Sequence, residues 1–179
     1  QAASSLATLT AGLMLAGAAQ ANSDSFTTIA GYGTAGVLGD TGPATAAQLS
    51  GNRGIALLGD GSLLIADTAN NRIRKVSPAG TIISVAGNGT ATSAGDGGLA
   101  NAAAINAPRD IVVAPDGVTY YIADTGGNRV RKVAGGVITT VAGNGTATAS
   151  GDGGAGSAAQ LSAFGLGIDA AGNLYVADA

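Results

Sequence analysis

The sequence predicts an all-β fold of tandem four-stranded antiparallel units, the blades of a β-propeller. Three sets of landmarks carry that prediction because they recur in register. Ala30-Gly31-Tyr32-Gly33 returns as Ala86-Gly87-Asn88-Gly89 and Ala142-Gly143-Asn144-Gly145, each 56 residues further on. Gly39-Asp40-Thr41-Gly42 returns at the same interval as Gly95-Asp96-Gly97-Gly98 and Gly151-Asp152-Gly153-Gly154. Ile65-Ala66-Asp67-Thr68 returns as Ile122-Ala123-Asp124-Thr125 and then as Val176-Ala177-Asp178-Ala179. A period of roughly 40–50 residues or slightly more, filled with short strands, is the signature of a blade.

Within one period each apolar run is strand-sized. Residues 54–58 form the first, and Gly59-Asp60-Gly61 turns the chain. Residues 63–67 form the second, followed by Thr68-Ala69-Asn70-Asn71. Arg72-Ile73-Arg74-Lys75-Val76 is the third. Ser77-Pro78-Ala79-Gly80 turns it into the fourth, residues 81–85. β-branched residues fill the runs, and Gly, Asn, Asp and Pro punctuate them. Lettered a to d from the inside, these four strands make one blade over residues 54–86. A second spans 111–142. Residues 166–178 supply strands a and b of another, and residues 26–30, Phe26 to Ala30, read as an isolated strand d. Two full blades with partial blades at each end predict an N-terminal piece of a ring, since a ring needs four or more blades. The other reading is a short chain that closes a ring by self-association.

The residues of strands b and c resemble those of the NHL repeat. The run from Ile65 to Val76 has an apolar strand ending in Ala-Asp and then Asn-Arg. Tyr121 to Val133 repeats it, and Gly167 to Asp178 looks like the first half of a third copy. The likeness is to the bacterial secreted type whose blades are joined by Ala-Gly-Asn-Gly and Gly-Asp-Gly-Gly segments. It implies a platform that binds proteins or extracellular ligands. Related six-bladed propellers include metal-dependent lyases and hydrolases, and some animal members bind RNA.

Composition narrows these choices. Charged residues are 11% and aromatics 3% of the chain, and the net charge is −3. Phosphate binding needs an excess of Lys and Arg, and base stacking needs aromatics. No nucleic-acid partner is therefore expected. There is no His, Glu, Cys or Trp. Metal-dependent propeller chemistry would have to use Asp alone or lie elsewhere, so no enzymatic activity is expected of this stretch. At the N-terminus, residues 4–19 carry no charge and Ala19-Gln20-Ala21 follows. This is the apolar region and cleavage site of a signal peptide over residues 1–21, lacking its basic start. The apolar stretch is shorter than the ~20 residues a spanning helix needs. The expected location is secreted, periplasmic or cell-surface, with a mature propeller from residue 22 and no membrane span.

The candidate site residues fall into three groups. Asp67, Asn71 and Arg72 recur as Asp124, Asn128 and Arg129, and Asp178 begins a third set. A carboxylate at a strand end accepts N–H groups of the next turn, and Arg72 or Arg129 could brace it. Recurrence in each blade predicts a structural lock. Asp40, Asp96 and Asp152 are the candidate calcium ligands. Ca²⁺ takes six to eight oxygens, however, and each Gly-Asp-Gly-Gly offers one carboxylate, so no cofactor is expected. Asn88, Asp96, Asn144 and Asp152 lie in the long inter-blade segments and are the candidate binding-face residues. There an Ala-rich stretch, residues 99–105, predicts a helical turn, and Leu99, Ile105 and Leu161 are expected to be buried beneath it. The basic strips Arg72-Arg74-Lys75 and Arg129-Arg131-Lys132 are expected to be solvated.

Overall fold

The computed structural model describes residues 27–179. The expected signal peptide and Phe26 lie outside the described residues. Two four-stranded antiparallel sheets follow one another. The first holds β1 (Ile55–Leu57), β2 (Leu63–Asp67), β3 (Arg72–Val76) and β4 (Ile82–Ala86) in that spatial order. The second holds β5 (Pro108–Val113), β6 (Tyr120–Asp124), β7 (Arg129–Ala134) and β8 (Val137–Ala142). A two-stranded sheet pairs β9 (Ala163–Ile168) with β10 (Leu174–Asp178). The architecture is that of propeller blades.

The registers of the two complete blades match. Asp67 pairs with Arg72 and Leu63 with Val76 across β2 and β3. Asp124 pairs with Arg129 and Tyr120 with Val133 across β6 and β7. Both blades carry a bulge at the same place, between Ile73 and Arg74 and between Val130 and Arg131. The central strands β2 and β6 are packed on both faces. Leu64, Ala66 and Ile73 meet Ile105, Ile111 and Ile122 in the core between the two blades. Leu63, Ile65 and Val76 meet Ala30, Ala44 and Leu49 on the other side. Burying an aliphatic side chain of this size contributes about 1.5–3 kcal/mol.

The blades are tied through the Ala-Asp-Thr motif. Thr68 Oγ1 donates to the Pro108 carbonyl at 2.7 Å, and Thr125 Oγ1 to the Ala163 carbonyl at 2.6 Å. Each therefore fastens the end of one strand b to the start of the next strand a. The inter-blade segments serve the blade that follows them. Thr41 N donates to Ile82 O and Ile82 N to Gly42 O, while Gly97 N donates to Ile138 O and Ile138 N to Gly98 O. The Gly-Asp-x-Gly turn thus covers the outer edge of strand d, where unpaired backbone would template aggregation.

Two expectations are corrected here. Residues 27–30 are not a strand; that stretch is tied to the inter-blade segment by Gly31 N donating to Ala44 O at 2.9 Å. Residues 99–105 make the expected single helical turn, closed by Ala103 N on Leu99 O. The corresponding stretches form 3₁₀ turns at Ala44–Ala46 and Gly156–Ala158. Ile105 and Leu161 are buried as expected, but Leu99 is 64% exposed. It bridges Val137 at the blade's outer edge, where its side chain has no layer above it. No helix among the described residues is long and apolar enough to cross a membrane.

Candidate functional site

The end of strand b in each complete blade holds a buried ion pair. Asp67 and Arg74 are both fully buried, with Arg74 Nη1 3.2 Å from Asp67 Oδ2. Arg131 Nη1 stands 3.1 Å from Asp124 Oδ2, also sealed from solvent. The inter-blade segment brings a second acid to the same guanidinium. Asp40 Oδ1 lies 2.7 Å from Arg74 Nη2, and Asp96 Oδ1 lies 2.7 Å from Arg131 Nη2. Ser50 N and Asn106 N complete the buried carboxylates at 2.8 and 2.7 Å. Burial pushes both Asp67 and Asp124 above the ordinary carboxylate value, and these hydrogen bonds and the arginines oppose it.

The buried carboxylates are held, but by neither expected partner: the backbone N–H comes from the preceding inter-blade segment and not from the turn after strand b, and the arginine is two residues further along. Arg72 and Arg129 turn away from the acids. Arg72 donates to the carbonyls of Gly87 and Asn88 at 3.2 and 2.8 Å, and Arg129 to that of Asn144 at 3.2 Å. They hold the Ala-Gly-Asn-Gly turns instead. Arg74 and Arg131, two residues on, take the buried position, so the basic strips are not solvated strands. Asn71 and Asn128 adopt left-handed backbone, φ 54° and 51°, as the turn into strand c demands. Asn71 Oδ1 also accepts Ala107 N at 2.9 Å. Gly87 crosses so close to this turn that a Cβ would lie 2.3 Å from Asn71 O. In the third copy Asp178 accepts Ser162 N at 2.6 Å, reproducing the first contact of the lock.

The calcium candidates are thus placed. Asp40 and Asp96 are spent on arginines. Asp152 is exposed and makes no ion pair among the described residues. No group of three His, Cys, Asp or Glu suited to a metal occurs among the described residues. Asn88 and Asn144 cap their own turns: Asn88 Oδ1 accepts Thr90 N at 2.8 Å, and Asn144 Oδ1 accepts Thr146 N at 2.9 Å.

A polar hollow opens on this same loop-built end. Its volume is about 380 Å³, and Asn70, Arg72, Asn88 and Thr90 border it with Val37 and Ala69. Arg72 Nε itself is buried and has no hydrogen-bond partner among the described residues. Sequence reasoning named Arg72 and Asn88 but not their meeting, which depends on Arg72 leaving the acid it stands opposite.

No family model matches the chain. Human teneurin-1 is 36% identical and zebrafish (Danio rerio) teneurin-3 40% identical over 99 residues, 48% of this chain. The chain spans 4% of the length of those proteins. Among solved structures, a Bacteroides thetaiotaomicron protein of unknown function is 27% identical, with a TM-score of 0.59 over 67% of this chain and 30% of that one. An auxiliary nutrient binding protein from Bacteroides ovatus is 21% identical, with a TM-score of 0.57 over 72% of this chain and 35% of that one. A gluconolactonase from Xanthomonas campestris is 14% identical, with a TM-score of 0.52 over 73% and 36%. The solved neighbours are bacterial propeller-like proteins, and about a third of each is spanned.

Proposed function

We propose that this chain contributes to an exported, NHL-like propeller that acts as a non-catalytic binding scaffold. The observation that carries the reading is the fate of its charged side chains. Four of its six arginines are committed to fastening strands and turns, and the loop-built end keeps a polar hollow of about 380 Å³. The partner is a protein or an extracellular ligand, not a nucleic acid. Export rests on the apolar segment before Ala19-Gln20-Ala21. The solved neighbours of this fold include both a nutrient binding protein and a gluconolactonase, so the fold alone does not decide between binding and catalysis.

The test is made on the purified protein. Peptide and glycan arrays should give signals that Thr90→Arg, which fills the hollow, removes. Stoichiometric bound Zn²⁺ or Ca²⁺, with ester or lactone hydrolysis lost on chelation, would overturn the scaffold reading.

A further inference from the structure

A second cavity lies between the two complete blades, at the end opposite the loop-built face. Its volume is about 440 Å³, within the range of small-molecule sites. Its walls are mostly apolar. Ile83, Leu99 and Val118 line it while 40%, 64% and 69% exposed. Such side chains gather there without any segment of the described chain covering them.

Tyr120 sets the chemistry. It lines the cleft and is only 6% exposed. Its hydroxyl has no hydrogen-bond partner among the described residues, and burial alone acts on it, pushing the phenol well above its ordinary value. It is therefore a permanent O–H donor. A tyrosine hydroxyl at a largely buried position ordinarily finds a partner, and the cleft is the side from which one can come. The same position in the first blade is Leu63, which packs against the preceding segment and needs none. At the mouth, Lys75 Nζ and Asp60 Oδ2 are 3.0 Å apart and neutralise each other. A charged ligand gains nothing from that pair.

We infer that this cleft is a binding site for a small, uncharged, largely apolar molecule bearing one carbonyl oxygen, which accepts the Tyr120 hydroxyl. The inference is independent of the loop-face reading, because the two hollows share no lining residue.

The test compares acetophenone with ethylbenzene, which matches its shape but lacks the carbonyl. Calorimetry and ¹⁵N chemical-shift mapping on the intact protein should show acetophenone bound about five- to tenfold more tightly, the span of one hydrogen bond. Shifts should fall on the turns at Gly117 and Gly135. Tyr120→Phe should erase the preference and leave ethylbenzene unchanged. Leu99→Asp, at an exposed position, should weaken both ligands and serves if Tyr120→Phe does not fold. Equal affinities for the two ligands, shifts confined elsewhere, or no binding by either overturn the inference.

Discussion

The two complete blades solve one electrostatic problem with different atoms. In the first, Asn70 Nδ2 reaches back to both oxygens of Asp67, at 2.8 and 2.9 Å. In the second, that position is Gly127, and the amide is gone. Ser93, from the inter-blade segment, donates its hydroxyl to Asp124 Oδ2 at 2.6 Å instead. The exchange is steric as well as chemical. A Cβ on Gly127 would stand 2.5 Å from Ser93 Cβ, so serine enters because glycine leaves room. The residue equivalent to Ser93 before the first blade is Val37, which has no hydroxyl to offer. What the repeat preserves is a satisfied buried carboxylate, not a particular donor. This is the behaviour expected where an unsatisfied buried charge is the costly state.

Breaking the shared part should cost most. Arg131→Leu leaves Asp124 buried without its cation and releases Asp96, and should destabilise by about 3–5 kcal/mol in urea unfolding. Arg74→Leu should cost a similar amount, since it plays the same part. A small loss in one blade alone would show that the locks are not equivalent. Next comes the steric exchange. Gly127→Asn should cost about 1–3 kcal/mol through overpacking against Ser93. Adding Ser93→Val should recover much of it by recreating the first blade's arrangement, a coupling that a double-mutant cycle measures. Asn70→Ala, which removes two bonds to Asp67 and introduces no clash, should cost about 1–3 kcal/mol.

The smallest effect is in the pH dependence, where the buried and exposed acids have opposite signs. Asp60 is held down to about 2, first by the Ser62 N–H and then by Lys75. Its folded value lies below its unfolded one. Its contribution is therefore present above about pH 4 and lost as the pH falls towards 2. Asp60→Asn should remove that loss, and the two stability curves should converge at the acid end. Asp67 and Asp124 are raised by burial. The native state then holds more protons than the unfolded one above about pH 4, so their contribution declines as the pH rises through their folded values. Asp124→Asn should flatten that decline.

Strand order, the boundaries of strands b and c, and the positions of the locks follow from the sequence alone. They depend on local pattern: alternating apolar residues, turn residues at fixed offsets, and landmarks in register. That Asp67 and Asp124 are structural was legible for the same reason. Which arginine braces them was not. Arg72 stands directly opposite Asp67 in the ladder, and sequence proximity favours it. Only the packed segment decides otherwise, because the carbonyls of Gly87 and Asn88 capture Arg72 while Asp40 approaches Arg74 from 34 residues away. Likewise, Tyr120 looks like any core aromatic until the cleft beside it is seen. A strand's pattern fixes which face a side chain takes; only tertiary contact decides which partner waits there, because the partner comes from a distant segment whose path the pattern does not encode.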